Sequence, residues 1–237
     1  MSLLILIRHG QSIWNSENRF TGWVDIDLTK KGESEAEKAG VLIKEKNIEI
    51  NFYYSSLQLR ANNTLRIIQK VLNDEKSFVR AWQLNERHYG ALTGLNKAEM
   101  SKKIGEKKVH KFRRSWDIKP EPLDKKSLYH PINIHTYKDI PKEVIPDTES
   151  LKDTYERVSK YFEEEIKNKL KDKNILVSAH GNSIRALCKK MFDLDNNMIS
   201  SLEIPTGNPL IVELDKNLKI IKCEYLDKER AKSLLVF

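Results

Sequence analysis

Residues 3–10 of this chain read Leu-Leu-Ile-Leu-Ile-Arg-His-Gly, and this stretch decides the expected fold. Its opening apolar run is too short to span a bilayer, so we expect a buried β-strand over residues 3–8. His9 and Gly10 follow directly, and a glycine lets the backbone turn sharply and approach a ligand closely. The sequence therefore predicts a core strand that presents His9 at its carboxyl end.

A second stretch has the same arrangement. Residues 174–179, Asn-Ile-Leu-Val-Ser-Ala, are predicted to form another buried strand, and His180-Gly181 follow it. The next apolar pattern predicts a helix that ends at about Phe192. Ligands of open parallel sheets bind beyond the carboxyl ends of the strands. The layout therefore allows His9 and His180 to face one crevice.

Strands alternate with helices along most of the chain. This alternation is typical of an α/β fold of three layers, in which helices cover both faces of a mostly parallel sheet. We expect a single domain over residues 1–237. The further predicted strands are 51–56, 78–84 and a pair within 208–226 joined by a turn at Asp215–Asn217, and the further helices run from Thr29 to about Lys46, over Ala61–Leu72, and from about Thr148 to Leu170.

Two segments do not follow the alternation. Residues 96–145 are polar and contain several prolines. Such a long loop in a compact protein is usually functional or disordered, and we predict an inserted, mostly helical lid. The tail, residues 227–237, is charged and then apolar, and it is predicted to be either a flexible flap that closes over the site or a packed terminus.

Composition narrows the class of protein. Of the 237 residues, 39% are hydrophobic and 32% are charged, which is typical of a soluble globular chain. Nothing around the first strand resembles a signal peptide, so we expect a cytoplasmic protein without a membrane partner. Cys188 and Cys223 match no metal-binding or redox spacing and are expected to be packed thiols.

The net charge of +8 suits a nucleic acid, a membrane surface or a small anionic substrate. We find no known nucleic-acid motif with interleaved basic and aromatic residues, so no nucleic-acid partner is expected. The lysines are scattered, whereas several arginines stand at the ends of elements and close to histidines. These arginines are therefore the stronger functional signal.

The residues at the strand ends suit phosphoryl transfer. A neutral imidazole is a competent nucleophile toward phosphorus, and it forms a phosphohistidine. The charge on the transferring group requires cations around it, and the planar fork of arginine suits phosphate oxygens. Arg8 adjoins His9, and Arg60 opens a helix directly after a strand. Taken singly, each of these residues is better explained by a structural or solvated role; their combination in one α/β chain favours catalysis.

Residues 8–12, Arg-His-Gly-Gln-Ser, together with Trp14-Asn15, resemble the signature of the histidine phosphatase superfamily. Arg60 and His180-Gly181 are similar to its second arginine and second histidine. Further blocks resemble the 2,3-bisphosphoglycerate-dependent phosphoglycerate mutases, in the same order and over roughly residues 3–215. These blocks are Phe20–Trp23, Leu84–Leu95, Gly94–Lys97, Arg113–Ser115, Glu149–Thr154 and Ile204–Gly207.

The resemblance implies roles for individual residues. His9 is the nucleophile, while Arg8, Arg60 and His180 hold the transferring phosphoryl group. Glu86 donates and accepts the proton of the substrate oxygen, a role that would favour a raised pKa for its carboxyl group. The residues implied in substrate binding are Gly10, Gln11, Ser12, Asn15, Thr21, Gly22, Arg87, His88, Tyr89, Lys97, Arg113, Arg114, Gly181 and Asn182.

The implied reaction is the interconversion of 3-phosphoglycerate and 2-phosphoglycerate, on an enzyme primed by 2,3-bisphosphoglycerate. No metal is expected, because arginines supply the positive charge. A homodimer is implied, with a tetramer as the alternative. A phosphatase of small phosphate esters that uses the same His9 and Glu86 remains the alternative function, and Lys97, Arg113 and Arg114 argue against it because they make the pocket more cationic than a phosphatase needs.

Overall fold

A computed structural model describes residues 1–231 of the chain. Within these residues one sheet has the strand order β3-β2-β4-β1-β5-β6. The first four strands in this order are parallel, and β5 and β6 are antiparallel to their neighbours. The predicted mostly parallel sheet is confirmed. The strands are β1 (Ser2–Arg8), β2 (Phe52–Ser55), β3 (Phe78–Arg80), β4 (Ile175–Ala179), β5 (Leu210–Leu214) and β6 (Ile220–Tyr225).

Helices cover both faces of the sheet, as predicted. Side chains alternate between the two faces of a strand, so Ile5 and Ile7 of β1 pack on one side and Leu4 and Leu6 on the other. Helices α2 and α3 cover the first side, and α6, α7 and α8 cover the second. The helices are α1 (Ile13–Ser16), α2 (Lys30–Glu45), α3 (Leu59–Leu72), α4 (Lys97–Ile104), α5 (Glu106–Arg114), α6 (Leu151–Tyr161), α7 (Gly181–Phe192) and α8 (Asn196–Ser201).

Local capping explains where two of these helices begin. The Thr29 hydroxyl accepts a hydrogen bond from the Gly32 N–H at 3.1 Å and caps α2. Ser150 caps α6, and the Ser150 N–H donates a hydrogen bond to Oδ2 of Asp153 at 2.8 Å. Side-chain oxygens at these positions satisfy backbone donors that the first helical turn leaves free. The predicted start at Thr29 is confirmed.

The structure differs from the prediction at three places. The strand predicted over 78–84 ends at Arg80, because Ala81 makes the last bond to Ser55 and a 3-10 turn begins at Trp82. The helix predicted to reach Leu170 ends at Tyr161 and continues as a π-helical turn and a 3-10 turn. The short helices α1 and α8 were not predicted, since each spans too few residues for an apolar period to show.

The segment 96–145 contains α4, α5 and three 3-10 turns, as the expected insertion with short helices requires. Two small apolar clusters anchor it beside the sheet, one around Phe20 and Val109 and the other around Trp23 and Tyr137. None of the helices in residues 1–231 is long and apolar enough to cross a membrane. Of the tail 227–237, the structure describes a 3-10 turn at Glu229–Ala231. Its apolar end, for which a closing flap and a packed terminus are the two alternatives, lies outside the described residues.

Candidate active site

The register between β1 and β4 brings the two histidines together. Arg8 and Ala179 are partners at the carboxyl ends of these parallel strands, and the His9 N–H donates to the Ala179 carbonyl at 3.0 Å. His9 and His180 follow directly, with ring centroids 4.9 Å apart. The two imidazoles therefore lie side by side, as the two strand-end motifs predicted, but only His9 lines the cavity between the strand ends.

Hydrogen bonds define the form of the His9 ring. Nδ1 lies 2.7 Å from the carbonyl oxygen of Gly10, which can only accept, so Nδ1 carries the proton. Nε2 therefore holds the lone pair, and the Arg60 Nε–H donates to it at 3.3 Å. Burial, Arg60 and Arg8 together hold the pKa of His9 well below its usual value. The ring is neutral near pH 7, which is the form that can attack phosphorus.

His180 lies behind His9, and none of its side chain is exposed. Its Nε2 is 2.8 Å from the Ser56 hydroxyl, which accepts from the Gln58 N–H. The Ser56 hydroxyl can therefore donate its proton to Nε2 of His180. In this assignment the ring proton of His180 is on Nδ1. Nδ1 is buried and has no partner within the described residues. Burial lowers the pKa of His180, and Arg60 and His9 lower it further.

Arg60 is buried and held in place by backbone carbonyls. Its guanidinium donates to Gly22 at 2.9 Å and to Val24 at 3.0 Å. Arg8 donates through Nη1 to Ile204 at 2.8 Å, while its Nε is buried without a partner in residues 1–231. Both guanidinium groups are therefore pre-positioned beside His9, at the place where a phosphoryl group would need positive charge.

Glu86 is almost fully buried at the rim of the crevice. Its Oε1 accepts hydrogen bonds from the Arg87 N–H at 2.7 Å and from Asn182 Nδ2 at 2.8 Å. Burial alone would raise the pKa of this carboxyl group, but these bonds and the charges of Arg8 and Arg60 outweigh it, so the pKa is lowered. The expectation of a raised pKa is wrong for this state of the site, because donors and cations stabilise the carboxylate.

His9, Arg8, Arg60 and Glu86 line a cavity of about 120 Å³, whereas His180 is buried outside its lining. Its lining includes seven cationic side chains and two carboxylates, Glu86 and Glu203, so five positive charges are in excess. A larger groove of about 690 Å³ opens near Trp82, but it contains neither histidine. The cationic residues of the smaller cavity are Arg8, Arg19, Arg60, Lys97, Arg113, Arg114 and Arg185.

Several predicted binding residues also line this cavity: Asn15, Thr21, Gly22, Tyr89, Lys97, Arg113, Arg114, Gly181 and Asn182. The charges near Lys97 show how crowded the cations are. Burial lowers the pKa of Lys97, and although Tyr89 opposes this, Arg113 and Arg8 lower it further. An anionic ligand would relieve this repulsion, so the cavity suits a small molecule with several negative charges.

Five of the predicted binding residues do not line the cavity: Gly10, Gln11, Ser12, Arg87 and His88. A Cβ on Gly10 would lie 2.1 Å from the Gly32 carbonyl, so this glycine permits close packing against α2 and not an approach to a ligand. Ser12 caps α1, and Gln11 binds the Thr29 hydroxyl. Arg87 and His88 are fully buried, and the guanidinium carbon of Arg87 lies 4.7 Å from the centre of the Tyr89 ring. These five residues therefore support the elements around the cavity and do not line it.

Other residues around the cavity were not predicted. Arg19, Arg185 and Glu203 line it, because the loop before Phe20, helix α7 and the segment before β5 all converge there. Arg157 of α6 was missed as well, although it holds the Glu86 carbonyl at 3.0 Å. A single arginine on a helix face gives no sequence signal of such a role. Within the described residues, no group of three or more His, Cys, Asp or Glu side chains is placed to hold a metal ion.

Comparison with known proteins agrees with this geometry. The family model of the histidine phosphatase superfamily, branch 1, matches residues 4–131 and 126–224. A solved structure described as mycobacterial hydrolase 1 has the same fold, with a TM-score of 0.70 and 19% identity over 95% of this chain and 97% of that one. The chain belongs to the histidine phosphatase superfamily.

Two relatives narrow the assignment, and both are named 2,3-bisphosphoglycerate-dependent phosphoglycerate mutase. The protein of Pelagibacter ubique (strain HTCC1062) is 66% identical over 238 residues, covering 100% of both chains. The protein of Borreliella burgdorferi (strain ZS7) is 50% identical over 231 residues, covering 97% of this chain and 93% of its own. Within the superfamily, the chain is a member of the 2,3-bisphosphoglycerate-dependent phosphoglycerate mutase family.

Proposed function

We propose that this protein interconverts 3-phosphoglycerate and 2-phosphoglycerate through a phosphohistidine at His9, and that 2,3-bisphosphoglycerate primes it. The observation that carries the proposal is the neutral His9 ring, whose Nε2 lone pair faces Arg60 in a cavity with excess positive charge. The family membership reported above agrees with this chemistry.

The residues of the cavity fit a doubly phosphorylated three-carbon acid. Three buried polar atoms of the cavity lining have no partner within the described chain: Arg8 Nε, Thr21 Oγ1 and Arg114 Nη1. Buried donors without partners are costly, and anionic oxygens would satisfy them. Gly181 opens α7, and the N-terminus of a helix favours an anion. The Asn182 N–H already donates to Oε1 of Glu86 at 3.3 Å. When bound, 2,3-bisphosphoglycerate supplies the phosphoryl group that primes His9.

The charge balance also suits this substrate. A phosphate ester carries about 1.5–2 negative charges at pH 7, so a bisphosphoglycerate with its carboxylate approaches the five excess positive charges of the cavity. Phosphorylation of His9 would reduce that excess by about two charges. The remaining balance then suits a monophosphoglycerate. A phosphatase of simple esters would not need the distal cations Lys97, Arg113 and Arg114.

Residues of this chain account for the proton and the charge in each transfer. An ionised Glu86 accepts the proton of the attacking hydroxyl as His9 gives up its phosphoryl group. The protonated Glu86 then returns that proton to the leaving oxygen as Nε2 attacks phosphorus and the phosphorus–oxygen bond breaks. Arg8 and Arg60 stabilise the charge on the equatorial oxygens. The lowered pKa of Glu86 keeps it in the base form that begins the cycle.

Water must be excluded for isomerisation to exceed hydrolysis. Helices α4 and α5 of the segment 96–145 contribute Lys97, Arg113 and Arg114 to the cavity wall. We assign this segment the role of a lid over the phosphohistidine. The cytoplasmic location, the single domain and the homodimer expected from the sequence are part of the same proposal, and analytical ultracentrifugation of the pure protein tests the last.

The deciding experiment measures isomerisation and hydrolysis in the same tube. The purified protein is given 3-phosphoglycerate with and without 2,3-bisphosphoglycerate, while 2-phosphoglycerate and free phosphate are both followed. Conversion that depends on the bisphosphate, with little phosphate released, supports the proposal. Phosphate release without isomerisation would identify a phosphatase and refute it.

A further inference from the structure

Glu203 is a carboxylate in a cavity otherwise built to attract anions. It lies between α8 and β5, and its side chain is 52% exposed. Its Oε1 pairs with Nη2 of Arg114, and its Oε2 lies 3.5 Å from Nη2 of Arg185. Among the residues that the structure describes, Glu86 is the one other carboxylate in the lining, and the proton transfers proposed above already account for that residue.

The two arginines bound by Glu203 come from different elements of the fold. Arg114 ends α5, in the segment 96–145, and Arg185 lies within α7. The side chain of Arg114 is 14% exposed and that of Arg185 is 7% exposed. Glu203 therefore bridges the lid segment and the helix behind the catalytic residues, and it occupies cations that a bound anion could otherwise use.

Arg185 has other partners that keep it in place without Glu203. Its Nε donates to the Leu202 carbonyl at 2.6 Å, and its Nη1 donates to Asn182 Oδ1 at 3.2 Å. Arg114 has a buried Nη1 without a partner in the described chain. Loss of the Glu203 charge would thus leave Arg185 positioned and both guanidinium groups free to meet a ligand.

We propose that Glu203 is a specificity-determining residue: an internal counter-anion that holds Arg114 and Arg185 in the free enzyme and competes with the acidic group of the ligand farthest from His9. The ligand class, phosphoglycerates, rests on the function proposed above. Repulsion between fixed charges grows with the charge of the ligand. Glu203 therefore weakens binding of the bisphosphate more than binding of the monophosphate, and it limits how tightly the free enzyme retains the primer.

Titration calorimetry of the full chain tests this role, in a His9→Ala background that prevents turnover. The variant Glu203→Gln keeps the shape of the side chain and removes its charge. We expect it to bind 2,3-bisphosphoglycerate roughly tenfold and 3-phosphoglycerate about threefold more tightly at low salt, with both gains shrinking as salt rises. Glu163→Gln, which removes a partly exposed carboxylate that pairs with Lys167 and Lys190, is the matched control.

Two results would overturn the role of Glu203: weaker binding of both ligands, which would make it a support for the arginines, or changes equal to those of Glu163→Gln. Inorganic pyrophosphate, titrated in parallel, separates this proposal from the proposed function. If neither phosphoglycerate binds the parent protein, and Glu203→Gln still binds pyrophosphate more tightly, the proposed function is wrong and the role of Glu203 stands.

Discussion

Arg157 and Glu149 form a buried ion pair, with Nε of the arginine 2.7 Å from Oε1 of the glutamate. The same guanidinium donates to the carbonyls of Gln83, Asn85 and Glu86 at 2.6, 3.0 and 3.0 Å. Oε2 of Glu149 accepts the N–H of His88 at 2.8 Å. The pair thus holds the backbone on both sides of Glu86, although neither member lines the cavity.

Arg157 is therefore expected to act as a positioning residue for Glu86. Arg157→Lys retains the charge but cannot reproduce the planar fork of donors. We expect kcat to fall at least about tenfold while KM changes little, because a small displacement of a catalytic group is costly. Steady-state kinetics and urea unfolding measure the two effects separately.

The matched control is Lys167→Met, which removes a partly exposed ion pair with Glu163 at the protein surface. Exposed pairs of this kind contribute at most about 1 kcal/mol, and we expect no change in kcat. A purely structural role for Arg157 would lower the free energy of unfolding and leave kcat and its pH profile unchanged.

Removal of the nucleophile is expected to abolish turnover. His9→Ala deletes Nε2, so no phosphoenzyme can form, and kcat should fall by roughly 10⁴-fold or more. Labelled phosphoryl transfer from 2,3-bisphosphoglycerate to the protein is measured together with isomerisation. His110→Ala, at an exposed position of α5, is the control. Residual isomerisation in His9→Ala at the parental rate would eliminate the phosphohistidine mechanism.

Glu86→Gln tests the proton transfers. The amide has the shape of the carboxylate but cannot accept the hydroxyl proton, so we expect a 10²–10⁴-fold slower transfer, roughly, with ligand affinity preserved. Since the pKa of Glu86 is lowered, the carboxylate of the parent protein stays ionised to a pH below the usual glutamate range, and base catalysis is lost only below that pH. Single-turnover rates followed from pH 8 down to about pH 3 measure this limb, because the loss is expected below the usual glutamate range. A Gln variant with near-parental rates would assign the proton to another group.

His88 makes the stability of the fold depend on pH. Burial, followed by the charge of His130, lowers the pKa of His88 to about 3. In the unfolded chain the His88 ring binds a proton at its ordinary pKa of about 6.5. The contribution of the neutral ring to the free energy of unfolding is therefore fully present above that pH, and it is lost as the pH falls toward the pKa of the folded state. One such histidine contributes a slope of about 1.4 kcal/mol per pH unit within this window.

Urea unfolding between pH 6.5 and 4 measures that slope. His88→Asn retains an acceptor for the Gly90 N–H, which binds His88 Nδ1 at 3.0 Å, and removes the titrating group. We expect the free energy of unfolding of this variant to change less steeply with pH, by about 1.4 kcal/mol per pH unit, which corresponds to one proton. The control variant His110→Asn, at an exposed position, should leave the slope as it is in the parent protein. Equal slopes in the parent protein and His88→Asn would show that this ring does not titrate as described.

Gly10 is expected to tolerate no side chain. A Cβ at this position would meet the Gly32 carbonyl oxygen at 2.1 Å, and backbone atoms of α2 cannot move aside cheaply. Gly10→Ala should lower the free energy of unfolding by about 3 kcal/mol. At Gly181 the nearest atoms to such a Cβ are 3.7 Å away, so Gly181→Ala is the stability control. Thermal unfolding of both variants compares them, and equal losses would contradict the packing argument.

Much of the fold follows from local pattern. The continuous apolar runs at 3–8 and 174–179 indicate strands buried on both faces, which require helices above and below the sheet. Thr29 indicates a helix start because its hydroxyl satisfies free backbone donors. The edge strand β3 and the end of α6 were predicted too long, because the point where a chain leaves a sheet or a regular helix depends on tertiary partners.

The sequence by itself determined the sheet, the two strand-end histidines and the motifs that resemble the mutase family, because apolar period and short motifs are local properties of a chain. Only the tertiary structure decided the tautomer of His9, the lowered pKa of Glu86 and the places of Arg157, Arg185 and Glu203. These properties depend on distances between residues remote in the chain. Electrostatic fields and hydrogen bonds act through space, and a sequence pattern records neither.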